Sequence, residues 1–198
     1  MVELDDIDRD IIVNLRADGR MTYKRIGENI GFTIMGVKRR FLKLVDEETI
    51  KVTATENVNK LKYKLALILL EINDQESLNN ILERFKDCPR AVYVFTMLSG
   101  YNLAVLTVAE DQETLESESW EKCSWRCQVG VRRSEFYPIG EVNYSPFIPI
   151  REELMRGEAS IAPCGVNCEK CSRYKKEKCL GCPATKNYRQ GKIQQTSK

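Results

Sequence analysis

The 198-residue chain contains no histidine. That absence excludes an imidazole general base, a histidine-ligated haem and a Cys2His2 zinc site. Long hydrophobic runs are also missing. The longest is Leu65-Ala-Leu-Ile-Leu-Leu70, against the ~20 residues needed to span a bilayer, so no membrane partner is expected. The opening Met1-Val-Glu-Leu-Asp-Asp6 is acidic and does not fit a secretory signal. A cytoplasmic protein is therefore expected, with its eight cysteines kept reduced. Net charge is slight, 31 Lys and Arg against 29 Asp and Glu, but unevenly spread. Residues 64–150 hold 8 basic and 13 acidic groups, and residues 151–198 hold 11 and 5. Any polyanion is thus met at the ends of the chain and not at its centre.

What is present divides into three blocks: residues 3–63, 64–142 and 160–185. In the first, Leu4, Ile7, Ile11, Ile12 and Leu15 recur at helical spacing after a capping Asp5 or Asp6. Gly19 breaks this helix. Thr22 caps a second short helix carrying Tyr23, Ile26 and Ile30, and Gly31-Phe32 turns the chain. Thr33 caps a third, with Val37, Phe41, Leu44 and Val45 inward. Two short helices joined by a glycine turn match a helix-turn-helix, whose second helix enters the major groove. Lys38, Arg39, Arg40 and Lys43 form the outward face of that helix, with no acid from residue 33 to 45. Each can displace a counterion from double-stranded DNA. Thr22, Tyr23, Thr33 and Met35 complete the candidate DNA contacts. The stretch Ile50-Lys-Val-Thr-Ala-Thr55 reads as a strand, so a winged helix-turn-helix is expected.

Leu4-Asp-Asp-Ile-Asp-Arg-Asp-Ile-Ile12, Asp18-Gly-Arg20, Gly31 and Val37-Lys-Arg-Arg40 together resemble the Lrp/AsnC family of transcription regulators. The recognition helix departs from the family's usual small hydroxyl residues, since it opens Thr33-Ile-Met-Gly36. Ile34 and Met35 cannot hydrogen-bond base edges, so readout there relies on thymine methyls or DNA shape.

The middle block predicts a β-α-β-β-α-β order, the ferredoxin-like pattern, within an α+β chain. Strands are expected at Lys64–Ile72, Val92–Leu98, Leu103–Ala109 and Val131–Ile139, with helices near 76–86 and 112–123. This block resembles the ligand-sensing domain of the same family. The resemblance implies a homodimer or larger homo-oligomer built through the sheets and a small effector such as an amino acid. Ser99, Gly100, Tyr101 and Asn102 fall where the family carries G-x-[YF]-D-L, with Asn102 in place of the acid.

The third block has Cys164, Cys168, Cys171, Cys179 and Cys182 in a C-x3-C-x2-C-x7-C-x2-C run. Two C-x2-C pairs can each chelate through both thiolates, and the intervening loop can fold them into one tetrahedron. Either zinc or a [4Fe–4S] cluster fits this donor set. So short a segment is expected to be folded by its metal. It resembles small C-G-x-x-C-x-x-C…C-x-G-C segments appended to diverse microbial proteins. Cys123 and Cys127 are i, i+4 neighbours that could face a metal but read first as packing, and Cys88 reads as structural. The sequence thus points to a sequence-specific DNA-binding regulator and not an enzyme. The alternative is an iron–sulfur redox protein, or an enzyme resembling sirohaem decarboxylases, which rely on the histidine this chain lacks.

Overall fold

The first helix begins where Asp5 can cap it. Asp5 Oδ1 accepts the Asp8 N–H at 2.9 Å, and Asp8 reaches back to the Asp5 N–H, a reciprocal capping box that starts α1 (Asp6–Ala17). Thr22 Oγ1 takes the Arg25 N–H at 3.2 Å and starts α2 (Tyr23–Ile30). Gly31 ends α2 at φ 67°, a left-handed conformation that glycine adopts without strain. Thr33 Oγ1 takes the Gly36 N–H at 3.1 Å and starts α3 (Ile34–Asp46). The helices close on Ile11, Ile26, Val37 and Leu44, all buried. Each contributes about 1.5–3 kcal/mol of burial. Gly27 lets the turn fold tightly, because a Cβ there would lie 2.6 Å from the Phe32 carbonyl oxygen.

The computed structural model describes residues 3–151 and 157–189, in two units divided between Ala54 and Thr55. That boundary corrects the division expected after residue 63. It also removes the wing. Residues 50–55 form no strand, because the first unit offers them no strand to pair with. The next segment, β1 (Glu56–Asn57), pairs instead with β6 (Phe147–Ile148) in the second unit.

The second unit has the expected β-α-β-β-α-β order. It runs β2 (Lys64–Ile72), α4 (Gln75–Phe85), β3 (Ala91–Thr96), β4 (Leu103–Ala109), α5 (Gln112–Trp120) and β5 (Val131–Ile139). The antiparallel sheet has the order β3-β4-β2-β5, with Leu67 opposite both Leu106 and Tyr137. Asp74 and Asp111 cap the two helices. Alternation puts Ile68, Leu70 and Ile72 of β2 in the core with Ile81 and Phe85 of α4. Trp125 stacks on Phe85 with ring centroids 4.1 Å apart. On the opposite face, Val58 and Ile148 of the small β1–β6 ladder region cover Leu65 and Val108. Beyond them Tyr93, Phe95 and Tyr137 stay exposed.

The cysteine-rich segment is not the separate tail expected. It packs on the second unit, where Ala162 and Cys164 join the core of Ile68, Leu70 and Phe85. Arg173 Nε donates to Ser117 Oγ at 2.7 Å and its Nη2 to the Glu113 carbonyl at 2.8 Å. The Leu180 N–H reaches Thr114 Oγ1 at 3.3 Å. A side of α5 made of Thr114, Ser117 and Glu118 is thereby buried. The segment's own helical pieces are a 3-10 turn at Cys168–Lys170 and α6 (Ser172–Lys175). Part of the basic 151–198 block lies outside the described residues.

Candidate functional site

The outward side of α3 follows from its inward one. With Val37 and Leu44 buried and Phe41 half-buried, Ile34, Met35, Lys38, Arg39, Leu42 and Lys43 remain exposed, Met35 at 72%. Lys43 has a loose partner in Glu47 at 3.9 Å, and among the described residues no ion pair holds Lys38 or Arg39. Arg40 is placed differently from the expectation. Its Nη1 lies 2.6 Å from Asp5 Oδ2 and 2.9 Å from Asp8 Oδ1, and the guanidinium sits over the Phe32 ring. It ties α3 to the cap of α1 and is not a free phosphate contact. The Asp8 N–H and, behind it, Arg40 hold the Asp5 carboxyl below its ordinary pKa. The hydrogen bonds that Arg40 donates to Asp8 and Asp5 raise its own pKa.

Thr22 and Thr33 spend their hydroxyls as helix caps. Tyr23 is half-buried, with its ring 5.4 Å from that of Phe41. Of the eight residues expected at DNA, the structure therefore leaves Met35, Lys38, Arg39 and Lys43 as exposed side chains on one helix face. Lys24 and Arg25 of α2 are exposed cations that the sequence reading passed over, each near Glu28 at 4.0 and 3.8 Å.

The 99–102 loop is less open than its position in the hairpin implies. Asn102 Oδ1 accepts the Ile72 N–H at 2.9 Å and its Nδ2 donates to the Ile72 carbonyl at 2.8 Å. The amide is consumed in holding the end of β2. Tyr101 OH donates to Glu135, and Ser99 Oγ donates to the Tyr101 carbonyl at 2.8 Å. Ser99 and Gly100 are exposed.

The five clustered cysteines do come together, and two more join them. Cys88, Cys123, Cys164, Cys168, Cys171, Cys179 and Cys182 all line one cavity of about 60 Å³ beside α5. Cys127 is exposed, outside it, with Sγ 3.1 Å from the Trp120 carbonyl oxygen. Cys88 is expected to be structural and Cys123 to be packing rather than a metal-facing neighbour of Cys127, and the fold instead sets both beside the segment. All eight cysteines are free of disulfides. Among the described residues, no three Cys, Asp or Glu side chains are arranged to hold a metal ion.

A buried arginine borders the same cavity. Arg90 Nη2 lies 2.7 Å from Glu110 Oε2 and donates to the Gly181 carbonyl at 2.8 Å, and Arg90 Nε stands 3.2 Å from Glu118 Oε1. Burial opposes the charged guanidinium, but Glu110 and Glu118 outweigh it and hold its pKa well above the ordinary value. Burial lifts Glu118 to about 8 against the pull of Arg90. Burial likewise pushes the Cys88 thiol up to about 12 and Cys182 to about 11.

Comparison with known proteins agrees with this geometry. The model of the AsnC-type helix-turn-helix domain matches residues 4–45. An uncharacterised HTH-type transcriptional regulator of Pyrococcus horikoshii is 28% identical over 61% of this chain and 77% of its own length. Another, of Pyrococcus furiosus, is 31% identical over 44% of this chain and 60% of its own. Among solved structures, AsnC of E. coli superposes with a TM-score of 0.63 at 13% identity, covering 72% of this chain and 96% of that one. The leucine response regulatory protein LrpA of Mycobacterium tuberculosis gives 0.62 at 21%, covering 72% and 97%. Those two proteins are used almost whole, and about a quarter of this chain lies beyond them. The chain thus carries an AsnC-type helix-turn-helix domain at residues 4–45, followed by a ferredoxin-like sheet domain in the fold of AsnC and LrpA.

Proposed function

We propose that the chain is a DNA-binding transcriptional regulator of the Lrp/AsnC type. The observation that carries this reading is the exposed row of Lys38, Arg39 and Lys43 on α3, in a domain matched as AsnC-type helix-turn-helix. The Pyrococcus relatives bear the name of HTH-type transcriptional regulators, which supports the same conclusion. The enzyme reading is not favoured, because it has no comparable support. Phosphate contacts from these cations supply affinity, and Met35 and Ile34 meet bases through apolar contact. In a gel-shift titration with duplex DNA, Arg39→Ala should weaken binding to every sequence by a similar factor. Parental affinity in that variant together with Lys38→Ala at ~150 mM salt would falsify the assignment.

The reading includes a homodimer, since a helix-turn-helix reads two half-sites one helical turn apart only as a two-fold pair. The open sheet face supports it: Tyr93, Phe95 and Tyr137 stand exposed around the half-buried Leu67, Leu69 and Leu106. A small effector near the 99–102 loop belongs to the same reading. It would be met by the exposed Gly100 backbone and by Tyr101, because Asn102 is already bound to Ile72. Isothermal titration of the twenty amino acids into the full chain checks this, with heat for at least one expected and none from any contradicting it.

A further inference from the structure

The seven thiols around one cavity are not explained by DNA binding. Thiolates on one tetrahedral zinc, each ~2.3 Å from the metal, stand ~3.8 Å from one another. Among the described residues no three Cys, Asp or Glu side chains stand ready to hold a metal ion, so any metal bound here would draw the thiols together. They ring a space of about 60 Å³, roughly four times what one water needs. Lone buried cysteines are ordinary packing, but seven converging on one enclosed space from two sequence-distant regions are not. The site also holds partners for negative sulfur. The Gly181 N–H points to Cys179 Sγ at 3.5 Å. Arg90 lines the cavity and is fixed there through the Gly181 carbonyl, inside the Cys179-Leu-Gly-Cys182 turn.

We propose that this cavity is the seat of a polynuclear iron–sulfur cluster and not of a single zinc ion, with thiols of the C-terminal segment as ligands and Cys88 and Cys123 of the sheet domain closing the opposite wall. A cluster takes four thiolate ligands and fills more space than one ion, and seven thiols line this space of about 60 Å³. In assembly from ferrous iron and sulfide, each ligating thiol would release its proton to solvent and its sulfur would bind one iron. The cluster then cements residues 157–189 to α5, where Arg173 and Leu180 already dock them. This inference does not rest on the regulator reading, and either can fail alone.

The test is anaerobic purification of the full chain from iron-replete cells, with a visible spectrum and analysis for iron, zinc and acid-labile sulfide. Brown protein with iron and sulfide in about equal amounts is expected. Colourless protein, or one zinc per chain without sulfide, overturns the proposal. Cys168→Ser with Cys182→Ser should lower iron content at least tenfold while far-UV circular dichroism and DNA affinity persist. Full iron in that variant also overturns it. Cys127→Ser, outside the cavity, should keep the parental spectrum, and its loss of iron would contradict the cavity as the site. Cys88→Ala with Cys123→Ala should shift the spectrum or lower iron occupancy, and an unchanged spectrum removes the sheet domain from the site.

Discussion

Two neighbouring arginines on α3 have opposite tasks. Arg39 is exposed, whereas Arg40 lies 2.6 and 2.9 Å from the carboxylates of Asp5 and Asp8. Arg40→Ala should therefore lower the stability of the first unit by roughly 1 kcal/mol, the upper end for a half-exposed pair. Arg39→Ala should leave stability unchanged and lower DNA affinity, and thermal melts beside binding curves separate the two. The Asp5 contact also has a pH signature. The folded-state pKa of Asp5 is depressed by the Asp8 N–H and Arg40. Its stabilisation is present above the unfolded carboxyl pKa, ~3.9, and is lost as pH falls through the lower folded value. Acid titration of the parent should show a loss of stability below about pH 4 that is weaker in Asp5→Asn. The buried Arg90 is the costlier residue to remove. Arg90→Met leaves Glu110 and Glu118 without their cation, and about 3–5 kcal/mol of destabilisation is expected by denaturant unfolding.

Among the elements, the open face of the sheet carries the assembly claim. Tyr93 and Phe95 pack ring against ring at 6.0 Å with Phe95 52% exposed. Phe95→Glu should convert a dimer to a monomer in light scattering without changing the circular dichroism spectrum, and a persisting dimer would contradict the sheet-face assignment. The helices and the four main strands were legible because their signals are local. Asp5, Thr22 and Thr33 cap within three residues of themselves, and β2 alternates along its own length. The wing was misread for the converse reason. Ile50–Thr55 has strand-like alternation, yet a strand exists only by pairing, and the partner goes to Glu56–Asn57 from residues 147–148. Helix α5 hid its role similarly. Its Thr114, Ser117 and Glu118 are polar, yet they are buried on the side that the cysteine-rich segment covers.

For the whole molecule, the chain is two units, not three. Cysteine spacing announced a cluster, but not that Cys88 and Cys123 would meet it, because that requires the folded sheet. Likewise the charge run on α3 showed four candidate cations, while the withdrawal of Arg40 to Asp5 and Asp8 depends on how α1 and α3 pack. On the proposed reading, the molecule holds duplex DNA through α3. The most direct measurement is fluorescence anisotropy of the full chain with labelled duplex DNA between ~50 and ~200 mM salt, beside the Lys38→Ala, Arg39→Ala, Lys43→Ala variant. Log affinity should fall linearly with log salt, and the triple variant should lose ~1 of slope per phosphate contact removed. Absence of binding at ~50 mM salt, or a triple variant with the parental slope, would contradict it.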